Sequence, residues 1–118
     1  MCGRFTLSTP AGEWAALFDV EALDVEARYN IAPTDDIVVV RPALEQAARE
    51  AVLLRWGLIP GWTESPHGFP LLINARSETI GSKPSFKDAF RERRCLVVAD
   101  GFSEWKAEAG RKRPYWIH

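Results

Sequence analysis

Cys95-Leu96-Val97-Val98-Ala99-Asp100-Gly101-Phe102-Ser103-Glu104-Trp105-Lys106 reads as a strand, a two-residue turn and a second strand. β-branched and aromatic residues favour pleated backbone, and Asp-Gly is a preferred turn dipeptide between two such runs. Further strand signals lie upstream. Residues 37–41 are a β-branched run with 52–56 as its hairpin partner, 71–75 read as a buried strand, and 4–7 as an N-terminal one. Two helices interrupt them. Thr9 and Pro10 mark a helix start, with Pro10 at the first helical position and Trp14, Leu17 and Phe18 spaced to face a core. Residues 84–93 carry Phe86, Ala89 and Phe90 at helical spacing. Residues 28–34 read as an ordered loop ended by proline, residues 43–50 as a helical or loop excursion, and Gly110 as a turn before residues 114–118. Short strands with two helices predict an α+β fold built on a mostly antiparallel, strongly curved sheet.

The chain has 118 residues, 47% hydrophobic and 26% charged, which fits one globular domain spanning 1–118. Its last residues, Pro114-Tyr115-Trp116-Ile117-His118, form an apolar strand with no polar tail behind it, so C-terminal truncation is expected. No apolar run reaches membrane-spanning length, and the N-terminus lacks the regions of a signal peptide. Two cysteines without a CxxC exclude a disulfide framework and a cysteine-based zinc site, making a reducing cytoplasm the default. The net charge of −1 hides an asymmetry. Residues 1–75 hold ten acidic and five basic side chains, whereas residues 76–118 hold six acidic and ten basic. The basic half can offer phosphates a patch, although a solvated surface of mixed charge is the commoner outcome.

Cys2 follows Met1 directly, in Met1-Cys2-Gly3-Arg4-Phe5. Removal of Met1 leaves an α-amine and a thiol on one residue. Such an aminothiol condenses with an aldehyde to an imine, and the thiol then closes on the imine carbon as a thiazolidine. Both groups ordinarily titrate about one to two pH units above neutrality, so modest help from neighbours activates them. The plainer alternative is the second residue of a loose terminus. Asn74 and Arg76 flank Ala75, and extended backbone sets both on one side, where an amide and a guanidinium can hold a carbonyl and a phosphate. A junction in which Asn74 caps and Arg76 pairs with Glu78 fits the spacing equally well. Glu104 stands among Phe102 and Trp105, where a carboxyl sheltered by rings can move a proton; on an open strand face it would do nothing special. His67 and His118 have no partner at ligand or triad spacing, and Cys95 reads as a buried structural thiol.

Five segments occur in one order. They are Met1-Cys2-Gly3-Arg4-Phe5, Tyr29-Asn30-Ile31-Ala32-Pro33-Thr34, Trp56-Gly57-Leu58-Ile59-Pro60, Ile73-Asn74-Ala75-Arg76-Ser77-Glu78-Thr79, and Arg94-Cys95 through Ala99-Asp100-Gly101-Phe102 with Glu104-Trp105. Together the set resembles the SOS response-associated peptidase (SRAP) family, the abasic-site processing proteins. The resemblance implies a curved, β-barrel-like α+β fold with a positively charged cleft for single-stranded DNA containing abasic sites, in a cytoplasmic, nucleoid-associated protein of the SOS response. It implies Cys2 as the nucleophile that cross-links to the ring-opened abasic site, Asn74 as the group that orients it, and Glu104 as the manager of protons around the amine. Arg4 and Arg76 would hold flanking phosphates and Trp62 would stack on or wedge against a base. Neither a metal nor a cofactor is needed. An imine intermediate admits a strand-cleaving lyase side reaction, and the family's classification as peptidases admits an N-terminal-nucleophile (auto)peptidase instead. A third reading is an inactive fragment, completed by another chain or by self-association. Two departures stand out. The catalytic His that the family carries in a later segment is not reached, His118 being no substitute, and Thr63 stands where some relatives have a second tryptophan.

Overall fold

The computed structural model describes residues 2–44, 48–65, 67–108 and 110–118. Its centre is β3 (Asp36–Pro42), whose residues Ile37, Val38, Val39 and Val40 are all buried. Four consecutive buried β-branched positions need cover on both faces of the strand. β4 (Arg49–Arg55) pairs antiparallel with one edge of β3 and β5 (Leu96–Val97) with the other, giving a three-stranded sheet ordered β4-β3-β5. The second sheet runs β2-β1-β6-β7, from β1 (Phe5–Leu7), β2 (Arg28–Ile31), β6 (Gly101–Glu108) and β7 (Arg111–Ile117). Phe5, Leu7 and Ile31 of this sheet meet β3, Val98, Trp14 and Ala15 in the core.

The α+β class with antiparallel pairing is as the sequence predicts, but the two sheets are separate and do not close into a barrel. The β3–β4 hairpin forms as expected, in register from Asp36↔Arg55 to Pro42↔Arg49. The connection predicted over 43–50 falls partly on residues 45–47, outside the described residues.

α1 (Ala11–Phe18) begins one residue later than expected, with Pro10 at the N-cap. Ala11, Trp14, Ala15 and Phe18 lie at positions i, i+3, i+4 and i+7 and form its inward stripe. Leu17 falls off that stripe and is 78% exposed, contrary to expectation. The helix closes on Asp19, a left-handed residue (φ 55°) whose N–H reaches the Ala15 and Ala16 carbonyls. α2 is shorter than its periodicity implied, Lys87–Glu92, and buries no residue fully.

Three further expectations change. Residues 28–34 contain the strand β2, which pairs with β1. Residues 71–75 make no strand; among the described residues their one β-bridge is Leu58↔Leu72. Cys95 is exposed rather than buried; it lies just ahead of β5, a two-residue edge strand whose own side chains are half exposed.

Candidate functional site

Two strands and one irregular segment converge on the N-terminus. β6 pairs with β1 through Phe5↔Phe102 and Thr6↔Gly101, and the pairing continues as the Ser103 N–H donates to the Arg4 carbonyl at 3.0 Å. The Cys2 thiol donates to the same carbonyl at 2.8 Å, so one oxygen receives both groups. Glu104 is the next residue of β6 and is half-buried, which sets it beside the segment carrying Cys2. Cys2 is itself half-buried and packs against the edge of the core.

Asn74 arrives from the third direction. Its Nδ2 donates to the Cys2 carbonyl at 2.7 Å, across 72 positions of sequence. The placement rests on Trp56, whose ring meets Phe5 edge-on at 5.2 Å between centroids and whose indole N–H donates to the Ile73 carbonyl at 3.1 Å. A half-buried indole needs such a partner, and this one fixes the backbone immediately before Asn74. The sequence places Trp56 at a strand end before a glycine, on a kinked backbone whose rings fit either a core corner or a surface platform; the structure makes it a core corner.

Asp100 is a residue that sequence reading passed over, taking it only as half of a turn. Its carboxylate accepts from the Thr6, Ser8 and Thr9 hydroxyls and from the Ser8 and Thr9 N–H groups, at 2.5–3.1 Å. Burial pushes its pKa up, but these hydrogen bonds outweigh burial and hold the carboxyl well below the usual carboxylate range. Asp100 thus ties the start of β6 to the junction of β1 and α1. The signal was Asp-Gly far downstream of Ser8-Thr9-Pro10, a helix start without a carboxylate cap of its own.

The remaining candidates are more dispersed. Arg4 is exposed and its Nη1 donates to the carbonyl of Gly3 at 2.8 Å. Arg76 is exposed at a turn, its carbonyl accepting the Thr79 and Ile80 N–H groups, and it forms no ion pair with Glu78. Asn74 is engaged with Cys2 rather than capping that turn. Trp62 is 56% exposed, its indole N–H donating to the Pro84 carbonyl at 3.2 Å and its ring meeting Phe69 at 5.8 Å. The geometry therefore brings Asn74 onto Cys2, and the β1–β6 register, continued past Phe5, sets Glu104 level with Gly3. It leaves Trp62 and Arg76 on flanking surface. Among the described residues no group of three or more His, Cys, Asp or Glu side chains is disposed to hold a metal, and no helix is long and apolar enough to cross a membrane.

Fold and site together define an α+β protein that holds a cysteine near its N-terminus, just ahead of an inner strand, against an amide from a distant segment. The chain belongs to the SOS response associated peptidase (SRAP) family, whose model matches residues 1–118. It is 36% identical over 110 residues to the abasic site processing protein YoaM of Bacillus subtilis, an alignment covering 90% of this chain and 48% of that protein. It is 36% identical over 125 residues to the abasic site processing protein YedK of Escherichia coli, covering 100% of this chain and 54% of the relative. A crystal structure of a Bacteroides thetaiotaomicron protein superposes with a TM-score of 0.79 at 25% identity, over 98% of this chain and 53% of that one. The chain spans about half the length of these relatives.

Proposed function

We propose that this chain processes abasic sites in single-stranded DNA by covalent capture at Cys2. The observation that carries the reading is the pair of hydrogen bonds on the first residues: Asn74 Nδ2 to the Cys2 carbonyl, and Cys2 Sγ to the Arg4 carbonyl. Together they hold the backbone and thiol of one residue in a defined orientation, at the place where that residue's amine becomes free once Met1 is removed. The relatives' names supply the substrate class, a DNA lesion whose ring-opened form is an aldehyde.

The chemistry balances without an added reagent. The Cys2 amine attacks the aldehyde carbon, and loss of one water gives an imine. The thiol leaves its hydrogen bond to Arg4, adds its sulfur to the imine carbon, and its proton passes to the nitrogen, closing the thiazolidine. Glu104, beside Gly3 on the paired strand, is the group that relays protons to and from the carbinolamine oxygen and the nitrogen. Asn74 is a positioning residue. Arg4 and Arg76 take the flanking phosphates, and Trp62 offers a stacking surface for a base.

Incubation with an oligonucleotide carrying one abasic site tests this. A covalent adduct lost in Cys2→Ala supports the reading, whereas an equal adduct in that variant overturns it.

A second reading concerns the rest of the surface. Trp105, Tyr115, Trp116 and Ile117 on β6–β7, with Leu96 and Val97 on β5, are large apolar side chains left exposed. Exposed apolar side chains in such number favour cover by further polypeptide, equivalent to the half of the relatives that this chain does not span. Sedimentation of the 118-residue chain distinguishes self-association from a monomer with an open face.

A further inference from the structure

α2 carries two arginines in contrasting states. Arg91 is bound to its own helix, with Nη2 at 2.6 Å from Glu92 and 4.0 Å from Asp88. Arg93, at the helix C-cap, makes neither an ion pair nor a side-chain hydrogen bond among the described residues, and it is exposed. Its guanidinium nitrogens instead lie against Gly61, 3.6 and 3.8 Å from where a Cβ would stand. The next residue is Trp62, the exposed indole pinned by Pro84 and Phe69. Arg55 repeats the arrangement at the other end of the same segment, with Nη1 3.0 Å from the Cβ position of Gly57. Arg94 adds a third cation nearby in sequence, resting over the Phe90 ring at 5.6 Å. The acidic residues beside these arginines are Glu64, Asp36 opposite Arg55 in the hairpin, and Asp88 and Glu92 on the helix, the last two engaged by Arg91.

A planar fork of unused donors beside an exposed ring is the pairing that single-stranded nucleic acid uses: the ring stacks a base and the fork takes the adjoining phosphate. We infer that Arg93 is a phosphate contact for single-stranded DNA, gripping the backbone of the nucleotide next to the one stacked on Trp62, with Arg55 extending the same track. The inference rests on the proposed reading of the chain as a DNA-binding protein and adds a contact that the sequence motifs do not contain. It also gives the basic surplus of residues 76–118 a particular place. A guanidinium at a helix C-terminus can serve the helix dipole alone; that role predicts a change in melting temperature and none in DNA binding.

The test is the salt dependence of binding to an unmodified oligothymidylate, which has no aldehyde and so separates binding from cross-linking. Each phosphate contact on single-stranded DNA contributes about 0.7 to the slope of log K against log salt. Arg93→Gln is expected to weaken binding roughly three- to tenfold at about 0.1 M salt and to flatten the slope by about 0.7. Arg91→Gln, the paired neighbour, is expected to leave the slope unchanged. An Arg93→Gln slope equal to wild type overturns the inference, as does an equal flattening in both variants, which would report overall charge. If wild type itself shows no salt-dependent binding, the DNA reading fails and this inference falls with it; a normal wild-type slope with an unaltered Arg93→Gln slope removes this contact alone.

Discussion

The two long hairpins have the same pairing and opposite surroundings. β3–β4 is in register from Asp36↔Arg55 to Pro42↔Arg49, and β6–β7 from Phe102↔Ile117 to Glu108↔Arg111. The first supplies Ile37 to Val40 to the core, while every residue of β7 is exposed. Register follows from alternation and turn chemistry, which are local. Burial depends on what packs over the faces, and among the described residues the one strand paired with β6–β7 is β1. β3–β4 therefore carries stability. β6 serves to hold Gly101, Ser103 and Glu104 against the N-terminal strand, and β7 displays surface.

Substitutions can break that contrast. Val39→Ala, at a 2% exposed core position, is expected to cost about 3 kcal/mol in urea unfolding. Equal losses from Val39→Ala and Tyr115→Ala on β7 would erase the distinction, since the latter is expected to cost less than about 1 kcal/mol. Asp100→Ala, at the joint between the regions, is expected to cost about 2 kcal/mol because it strips the N–H groups at a helix start and three hydroxyls of their acceptor. The same carboxylate gives the fold a pH dependence. Its folded-state pKa is depressed, so its contribution is complete above the unfolded value of about 4 and fades as the pH falls below that toward the folded value. Acid titration of wild type and Asp100→Asn should diverge above that window and converge below it.

Asn74→Ala sharpens the comparison on the site's side. It removes the hydrogen bond to the Cys2 carbonyl from a half-buried, non-core position. Adduct formation is expected to slow about tenfold, or about 1.4 kcal/mol of barrier, with unfolding changed by less than about 1 kcal/mol. A large stability loss with an unaltered rate would make Asn74 a structural residue.

Much of the first hairpin and of α1 is legible in sequence because the signals there are local: a β-branched run, and Thr9-Pro10 ahead of a helix. Asp100-Gly101 reads as a turn between two strands, yet Gly101 is the first residue of β6 and β5 lies in the other sheet. β2 was hidden because residues 28–34 look like a loop until β1 lies beside them. Residues 71–75 look like a strand, yet among the described residues their one β-bridge is Leu58↔Leu72, and an apolar run alone does not supply partners. Cys95 looks buried by residue type and is exposed, just ahead of a short edge strand. At the site, the ordered motifs named Cys2, Asn74 and Glu104, but no spacing reveals that Asn74 reaches the Cys2 carbonyl. That contact depends on Trp56 bridging Phe5 and Ile73.

Intact-mass measurement after incubation with single-stranded DNA bearing one abasic site tests the central claim most directly. The account expects a protein lacking Met1, joined one-to-one to the oligonucleotide with the loss of one water, and no such species from Cys2→Ala. An unchanged protein mass in the presence of excess abasic DNA, or the same adduct from Cys2→Ala, would contradict it.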